Sequence, residues 1–193
     1  MSQSDLLAAL RPEAREAPGS GIVEVMSYGF GRKGLIPLWA GEGDLATPAF
    51  IRDAAAASLA AGETFYTYQG GLPELRASLA GYFARLYGKP FVPEQFSVTG
   101  SGMQSIKLAI ELTAGAGDEV VIPSPAWPNI VAAVGIFGAR PVEVPMTLGN
   151  DGWKLDLDQL FAACGPKARA IFLNSPCNPT GWTATREIGR AHV

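Results

Sequence analysis

The fold is decided by the stretch Glu119-Val120-Val121-Ile122-Pro123, the turn Ser124-Pro125-Ala126-Trp127-Pro128, the run Asn129 to Phe137, and Arg140-Pro141-Val142-Glu143-Val144-Pro145 after Gly138. A short apolar run rich in β-branched residues reads as a buried strand, the following run as a helix, and the last segment as a second strand. Working outward, Phe96 to Thr99 reads as a strand and Met103 to Thr113 as a helix before this unit; Leu157 to Cys164 reads as a helix and Arg169 to Leu173 as a strand after it. Such alternation predicts an α/β fold, a mostly parallel sheet with flanking helices reached by right-handed crossovers. The helix after Thr99 carries Met103, Ile106 and Ile110 on one face and Leu108 and Leu112 on another, which predicts burial on most sides. Asp156 followed by Gln159 resembles a capping box for the last helix.

Nearer the start, Thr47 as N-cap, Pro48 at the first helical position and an Ala-rich run ending at Gly62 predict a helix. A second is expected from Pro73 to Tyr87, stopped by Gly88, with Leu75, Leu79, Tyr82, Phe83 and Leu86 on its packing face. Residues 1–40 are Gly- and Pro-rich and read as an N-terminal arm with a short helix near Leu6 to Leu10. The closing string Ile188-Gly189-Arg190-Ala191-His192-Val193 matches one reading frame of a common sequencing adapter, so 188–193 is expected to be a non-native tail without function.

Composition excludes several classes of function. With 15 Lys+Arg against 18 Asp+Glu the net charge is -3, so the basic footprint of a nucleic-acid binder is missing. Two cysteines, Cys164 and Cys177, with the single histidine His192, supply neither a disulfide framework nor a four-ligand Cys/His zinc site. One histidine in the terminal string also argues against hydrolases that need a well-placed imidazole. The longest apolar stretch, Ile130 to Ala139, is interrupted by Gly135 and Gly138 and is too short to span a bilayer. No charged-then-apolar leader pattern is present among Asp5, Pro12 and Glu13, so a soluble, cytoplasmic protein is expected.

Three loops follow strands and share the edge where open α/β sheets bind ligands. Thr99-Gly100-Ser101-Gly102-Met103 is either a plain tight turn or an anion cradle at a helix N-terminus; it matches neither the dinucleotide fingerprint nor the P-loop. Trp127, in the second loop, either caps the core or stacks on an aromatic ligand. Asn174-Ser175-Pro176-Cys177-Asn178-Pro179-Thr180-Gly181 is either a Pro/Asn/Gly turn or a ligand loop.

Gly41-Glu42-Gly43-Asp44 with Thr47-Pro48, Tyr66 before Gly70-Gly71-Leu72-Pro73-Glu74-Leu75-Arg76, Ser101-Gly102, Trp127-Pro128-Asn129 and Asn178-Pro179-Thr180-Gly181 together resemble the fold type I pyridoxal-phosphate aminotransferases of class I/II, over Leu38 to Gly181. The resemblance implies pyridoxal 5'-phosphate as cofactor, amino acid and 2-oxo acid as substrates, and a homodimer. It places residues 1–40 in an arm and part of a small domain, and 41–187 in the N-terminal part of the cofactor-binding large domain. Gly41 resembles the glycine whose backbone lines the substrate carboxylate pocket, and Tyr66 the tyrosine that reaches the cofactor phosphate of the other subunit. Ser101, Gly102 and Met103 occupy the phosphate-cup positions, Met103 offering only its backbone N–H. Trp127 is similar to the aromatic stacked on the pyridine ring and Asn178 to the residue that hydrogen-bonds its phenolic oxygen; both also border the substrate.

The resemblance also exposes a gap. Family enzymes carry a Schiff-base lysine, usually three residues after Ser or Thr, whereas Phe30, Leu86, Gln104, Asp151 and Cys164 precede Lys33, Lys89, Lys107, Lys154 and Lys167 by three. No catalytic residue is therefore assigned; the chain is read as an N-terminal fragment, inactive by itself, whose sheet is left with an unpaired edge and an uncovered apolar face. A carbon–sulfur lyase or synthase of the same fold remains an alternative, as does a non-catalytic aminotransferase-like binding module.

Overall fold

The computed structural model describes residues 7–39, 41–186 and 188, and the chain divides into two compact units, residues 1–28 with 103–193 and residues 29–102. The first unit is built on β1 (Glu119–Ser124), which pairs in parallel with β2 (Arg140–Pro145) and with β5 (Ala168–Ile171) in the order β2-β1-β5. Val120, Val121 and Ile122 of this central strand are fully buried. Because alternate side chains leave opposite faces, one strand feeds two cores. Val120 and Ile122 pack with Ile110, Ile130 and Val134, contributed by α5 (Gly102–Thr113) and α6 (Pro128–Ile136). Val121 packs with Val144 and with Leu160 from α7 (Leu157–Ala162). Helices thus cover both faces, as a run of consecutive apolar residues requires. Full burial of each such side chain stabilises the fold by about 1.5–3 kcal/mol.

Between β2 and α7 the chain makes a hairpin of β3 (Thr147–Gly149) and β4 (Gly152–Lys154). Beneath it Met146, Cys177, Trp182 and Ile188 form a third apolar cluster with Trp153 and Leu173. Before the sheet come α1 (Pro12–Arg15) and α2 (Gly21–Gly29), and an Arg11 Nη2 donor reaches the Ile136 carbonyl at 3.1 Å.

The strands after Gly117 and all the helices expected from residue 47 onward form where the sequence places them, within one to three residues at each end. Gly88 ends α4 (Pro73–Tyr87) at φ 66°, a left-handed position that suits glycine. The Asp156 carboxylate accepts from the Asp158 and Gln159 amides at 2.9 and 3.1 Å, and the Gln159 side chain returns to the same carboxylate at 3.1 Å.

Five expectations need correction. Phe96 to Thr99 is not in a ladder among the described residues: it is extended, but its Val98 N–H goes to the Gly70 carbonyl at 3.0 Å instead of to a strand. The α5 helix is buried on one side only; Ile110 is buried and, with Ile106, packs against Val120 and Ile122, while Leu112, on another face, is 85% exposed. In α4 the packed face is Arg76, Leu79, Ala80, Phe83 and Ala84, and Leu75, Tyr82 and Leu86 are exposed. Ring contacts of Phe83 with Tyr87, Phe91 and Phe96, at centroid distances of 5.7, 5.9 and 5.2 Å, set that rotation. Thr47 does not cap α3 (Ala49–Ala60); Pro48 stands in the N-cap position and no side chain caps it. The arm is more ordered than its glycines suggest, since α2 runs nine residues. Leu6, Ala40, Glu187 and residues 189–193 lie outside the described residues, and so do part of the first short helix and most of the terminal string; Ile188 is described and buried.

Among the described residues β5 pairs with β1 alone and so forms one edge of the sheet, as β2 forms the other. Between α5 and the β1–β5 pair an apolar groove of about 350 Å³ is lined by Ile106, Ala109, Ile110, Val120, Ala170 and Phe172. Replacing Asp156 with Ala removes the α7 cap, and urea denaturation is expected to show a loss of about 1 kcal/mol.

Candidate active site

Since β1 and β5 are adjacent and parallel, the loops that leave them emerge at one edge of the sheet. The first loop passes Ser124–Pro125, a cis bond, and reaches Trp127, the residue before α6, with Pro128 at the first helical position. Trp127 is half-buried and belongs to none of the apolar clusters described above.

The second loop is held by its own side chains. Asn174 Oδ1 accepts from the Asn178 N–H at 2.8 Å, and Ser175 Oγ accepts from Ala184 N–H at 2.9 Å. Cys177 N–H donates to the Trp182 carbonyl at 2.7 Å, and Gly181 N–H to the Cys177 carbonyl at 2.8 Å. Gly181 sits at φ 70°, where a side chain would be strained. Trp182, 8% exposed, anchors the loop in the cluster with Met146 and Ile188. The Cys177 thiol is buried and its Sγ lies 3.7 Å from the Pro125 carbonyl, which joins the two loops. Asn178 is left exposed at their meeting point, and among the described residues its side-chain amide forms no hydrogen bond. Scaffolding thus falls to Asn174, Ser175, Cys177 and Trp182, while Asn178 is the group presented.

The turn before α5 is closed by Thr99 Oγ1, which donates to the Ser101 carbonyl at 2.8 Å. Ser101 and Gly102 are exposed and Met103 is half-buried. As the first two helical residues, Gly102 and Met103 have N–H groups without an intrahelical acceptor. A Cβ built on Gly102 meets nothing within 4 Å, so the backbone is open to approach. Gly41 and Tyr66 belong to the second unit; both are exposed, and neither is hydrogen-bonded to the Ser101 turn among the described residues.

Sequence reasoning does not find Asn174, Ser175 or Trp182 as individual supports. The available signal is the Asx pattern four residues before Asn178 and an apolar residue directly after the loop glycine. Among the described residues no group of three or more His, Cys, Asp or Glu could hold a metal, and no helix is long and apolar enough to cross a membrane.

The chain as a whole matches a known family. The aminotransferase class I and II family model matches residues 33–188. The chain belongs to that family. It is 35% identical over 188 residues to a probable aspartate/prephenate aminotransferase of Thermus aquaticus, covering 97% of this chain and 48% of that one. It is 37% identical over 183 residues to an aspartate/prephenate aminotransferase of Cereibacter sphaeroides, covering 95% and 45%. Among solved structures, aspartate aminotransferase of Thermus thermophilus in a single-mutant form superposes with a TM-score of 0.86 at 34% identity, over 95% of this chain and 49% of that one. The chain spans about half the length of the curated relatives it matches. The α/β architecture with its parallel sheet is that of the fold type I aminotransferases.

Replacing Asn174 with Ala removes the acceptor for the Asn178 N–H. Hydrogen exchange at that amide is expected to quicken about fivefold, the effect of one hydrogen bond of about 1 kcal/mol, with Asn174→Asp close to the parent.

Proposed function

We propose that this chain supplies the cofactor-facing part of a cytoplasmic, homodimeric pyridoxal-phosphate enzyme that exchanges an amino group between an amino acid and a 2-oxo acid. The observation that carries this reading is the junction of the two loops through Cys177 and Pro125, which puts Trp127 and Asn178 on one sheet edge. Pyridoxal 5'-phosphate, when bound, supplies an electron sink for bonds at the carbon bearing the amino group.

The residues present fit such a molecule. Its phosphate is a dianion, and the Gly102 and Met103 amides at the start of a twelve-residue helix offer donors and the positive end of the helix dipole. Ser101 adds a hydroxyl. Trp127, not consumed by the core, offers an aromatic face and excludes water from one side of a flat ring. The Asn178 side chain, unpaired in its own loop, can donate to a phenolic oxygen. Open space around Gly41 leaves room for a substrate carboxylate against the backbone. The full exposure of Tyr66 suits a residue that serves a neighbouring subunit.

None of the three lysines of the first unit stands where this edge needs an amine. In the first unit, Lys107 pairs with Glu111 at 3.3 Å on α5 and Lys154 with Asp151 at 3.2 Å in the hairpin. Lys167 immediately precedes β5, at the opposite edge of the sheet from the loops. With no lysine three residues after a Ser or Thr, and none of the first unit's lysines at this edge, the chain binds the cofactor by contacts alone and does not transaminate.

The test is a titration of the 193-residue chain with pyridoxal 5'-phosphate, followed by borohydride reduction and mass spectrometry. Saturable binding without stoichiometric label on one lysine is expected, and Ser101→Ala should weaken binding by about 1–2 kcal/mol. Stoichiometric label on a single lysine together with turnover of an amino donor would contradict the proposal.

A further inference from the structure

The turn that opens α5 is delivered by a segment that no strand holds. Phe96 to Thr99 is extended, with Phe96 at φ -117° and ψ 132°, but it has no ladder partner among the described residues. What fixes it on the side of α4 is a short set of contacts with the Gly70 to Arg76 stretch. Arg76, half-buried in the first turns of α4, donates its Nε–H to the carbonyls of Phe96 at 2.9 Å and Pro93 at 3.1 Å. The Gly70 carbonyl accepts from Val98 N–H at 3.0 Å. Gly71 stands at φ 100°, and a Cβ there would lie 2.6 Å from Val98 Cβ and 2.7 Å from Val98 Cγ2, so the two chains approach to a distance only glycine permits.

The Arg76 side chain spends its directional donor on backbone and not on a charge. Arg76 takes part in no ion pair among the described residues, unlike Lys107 with Glu111, Arg140 with Glu119 and Lys154 with Asp151. An arginine held this way serves geometry. Its Nε–H ties two carbonyls that are three residues apart in sequence, and only four residues separate Phe96 from Ser101. Beyond Val98 the path to the turn is short, and Thr99 Oγ1 closes it on the Ser101 carbonyl. Any slip of the extended segment therefore carries the Ser101 and Gly102 donors with it.

We propose that Arg76 is a positioning residue for the anion-binding turn: by fixing the Phe96 to Thr99 segment against Gly70 and Gly71, it sets where Ser101 and Gly102 present their donors, and so sets the preference for a phosphorylated over an unphosphorylated pyridoxal ligand. This inference rests on the reading of the Ser101 turn as the phosphate site. It involves no contact between Arg76 and the ligand.

The experiment measures dissociation constants of pyridoxal 5'-phosphate and of pyridoxal for the full chain, for Arg76→Gln and for Arg76→Lys. The ratio of the two constants reports the phosphate contribution alone, whereas a general loss of folding moves both constants together. Arg76→Gln is expected to lower the ratio of the pyridoxal constant to the pyridoxal-phosphate constant about five- to tenfold, the effect of roughly one well-placed hydrogen bond, with the pyridoxal constant unchanged. Arg76→Lys, which keeps the charge but cannot place a donor at the Nε position, is expected to fall with Arg76→Gln. Hydrogen exchange at the Val98 amide should quicken in both variants, a readout independent of ligand and available where binding is weak.

A parent ratio preserved in Arg76→Gln, or restored in full by Arg76→Lys, would overturn the proposal, the latter in favour of a simple charge effect. If the parent chain binds the two ligands equally, the phosphate-site reading itself falls and this inference falls with it. A preference in the parent that survives substitution sinks the Arg76 role alone.

Discussion

A strand that buries Val120 and Ile122 on one face and Val121 on the other tolerates solvent on neither, so β1 must lie between two strands and between two helical layers. From that requirement the site follows. Parallel pairing with β5 brings the carboxyl ends of both strands to one edge, and the chain must leave each strand there before crossing back through a helix. The residues that turn the chain at this edge are those available for binding. Trp127 is one of them because α6 begins immediately afterwards, and Asn178 is another because the loop around it is closed by Asn174, Cys177 and Trp182.

The division of labour inside the second loop has a simple physical basis. A long irregular segment leaves many backbone groups to satisfy, and side chains of Asn, Ser and Thr supply partners where no ladder can. Asn174, Ser175 and Thr180 each accept a backbone N–H, so the loop has a defined shape without a ligand. Asn178 is spared that duty. The two asparagines stand four positions apart and differ in their bonding: the Asn174 side chain accepts from the backbone, whereas the Asn178 side-chain amide forms no hydrogen bond among the described residues.

Much of this was legible in the sequence. The strand-helix-strand pattern from Glu119 to Pro145 leaves few alternatives, because a period-free apolar run bounded by proline and glycine fits a buried strand. The stop at Gly88 and the cap at Asp156 are local chemistry, readable within a few residues. What depends on distant partners was not legible. The Phe96 to Thr99 segment has strand composition, yet a ladder requires a neighbour that its own residues do not name. The face of α4 is not legible either, because apolar spacing permits more than one rotation and the choice is made by Phe91 and Phe96, which follow the helix. For α5, alternating faces of leucine and isoleucine suggest burial all round, but exposure of Leu112 depends on what lies beyond the helix and not on its own pattern. Site residues were found through motif resemblance, whereas the supports Arg76, Asn174 and Trp182 become visible only when their backbone partners are in place.

The central proposal is that the sheet edge above β1 and β5, where Trp127 and Asn178 stand, receives the ring of a phosphorylated aromatic ligand. Chemical-shift mapping of the isotope-labelled chain during titration with pyridoxal 5'-phosphate tests it most directly. The account predicts that the amides of Gly102 and Met103, the Trp127 indole N–H and the Asn178 side-chain amide shift together along one binding curve. Shifts confined to the neighbourhoods of Lys33, Lys89 or Lys167, with those four groups unmoved, would contradict it.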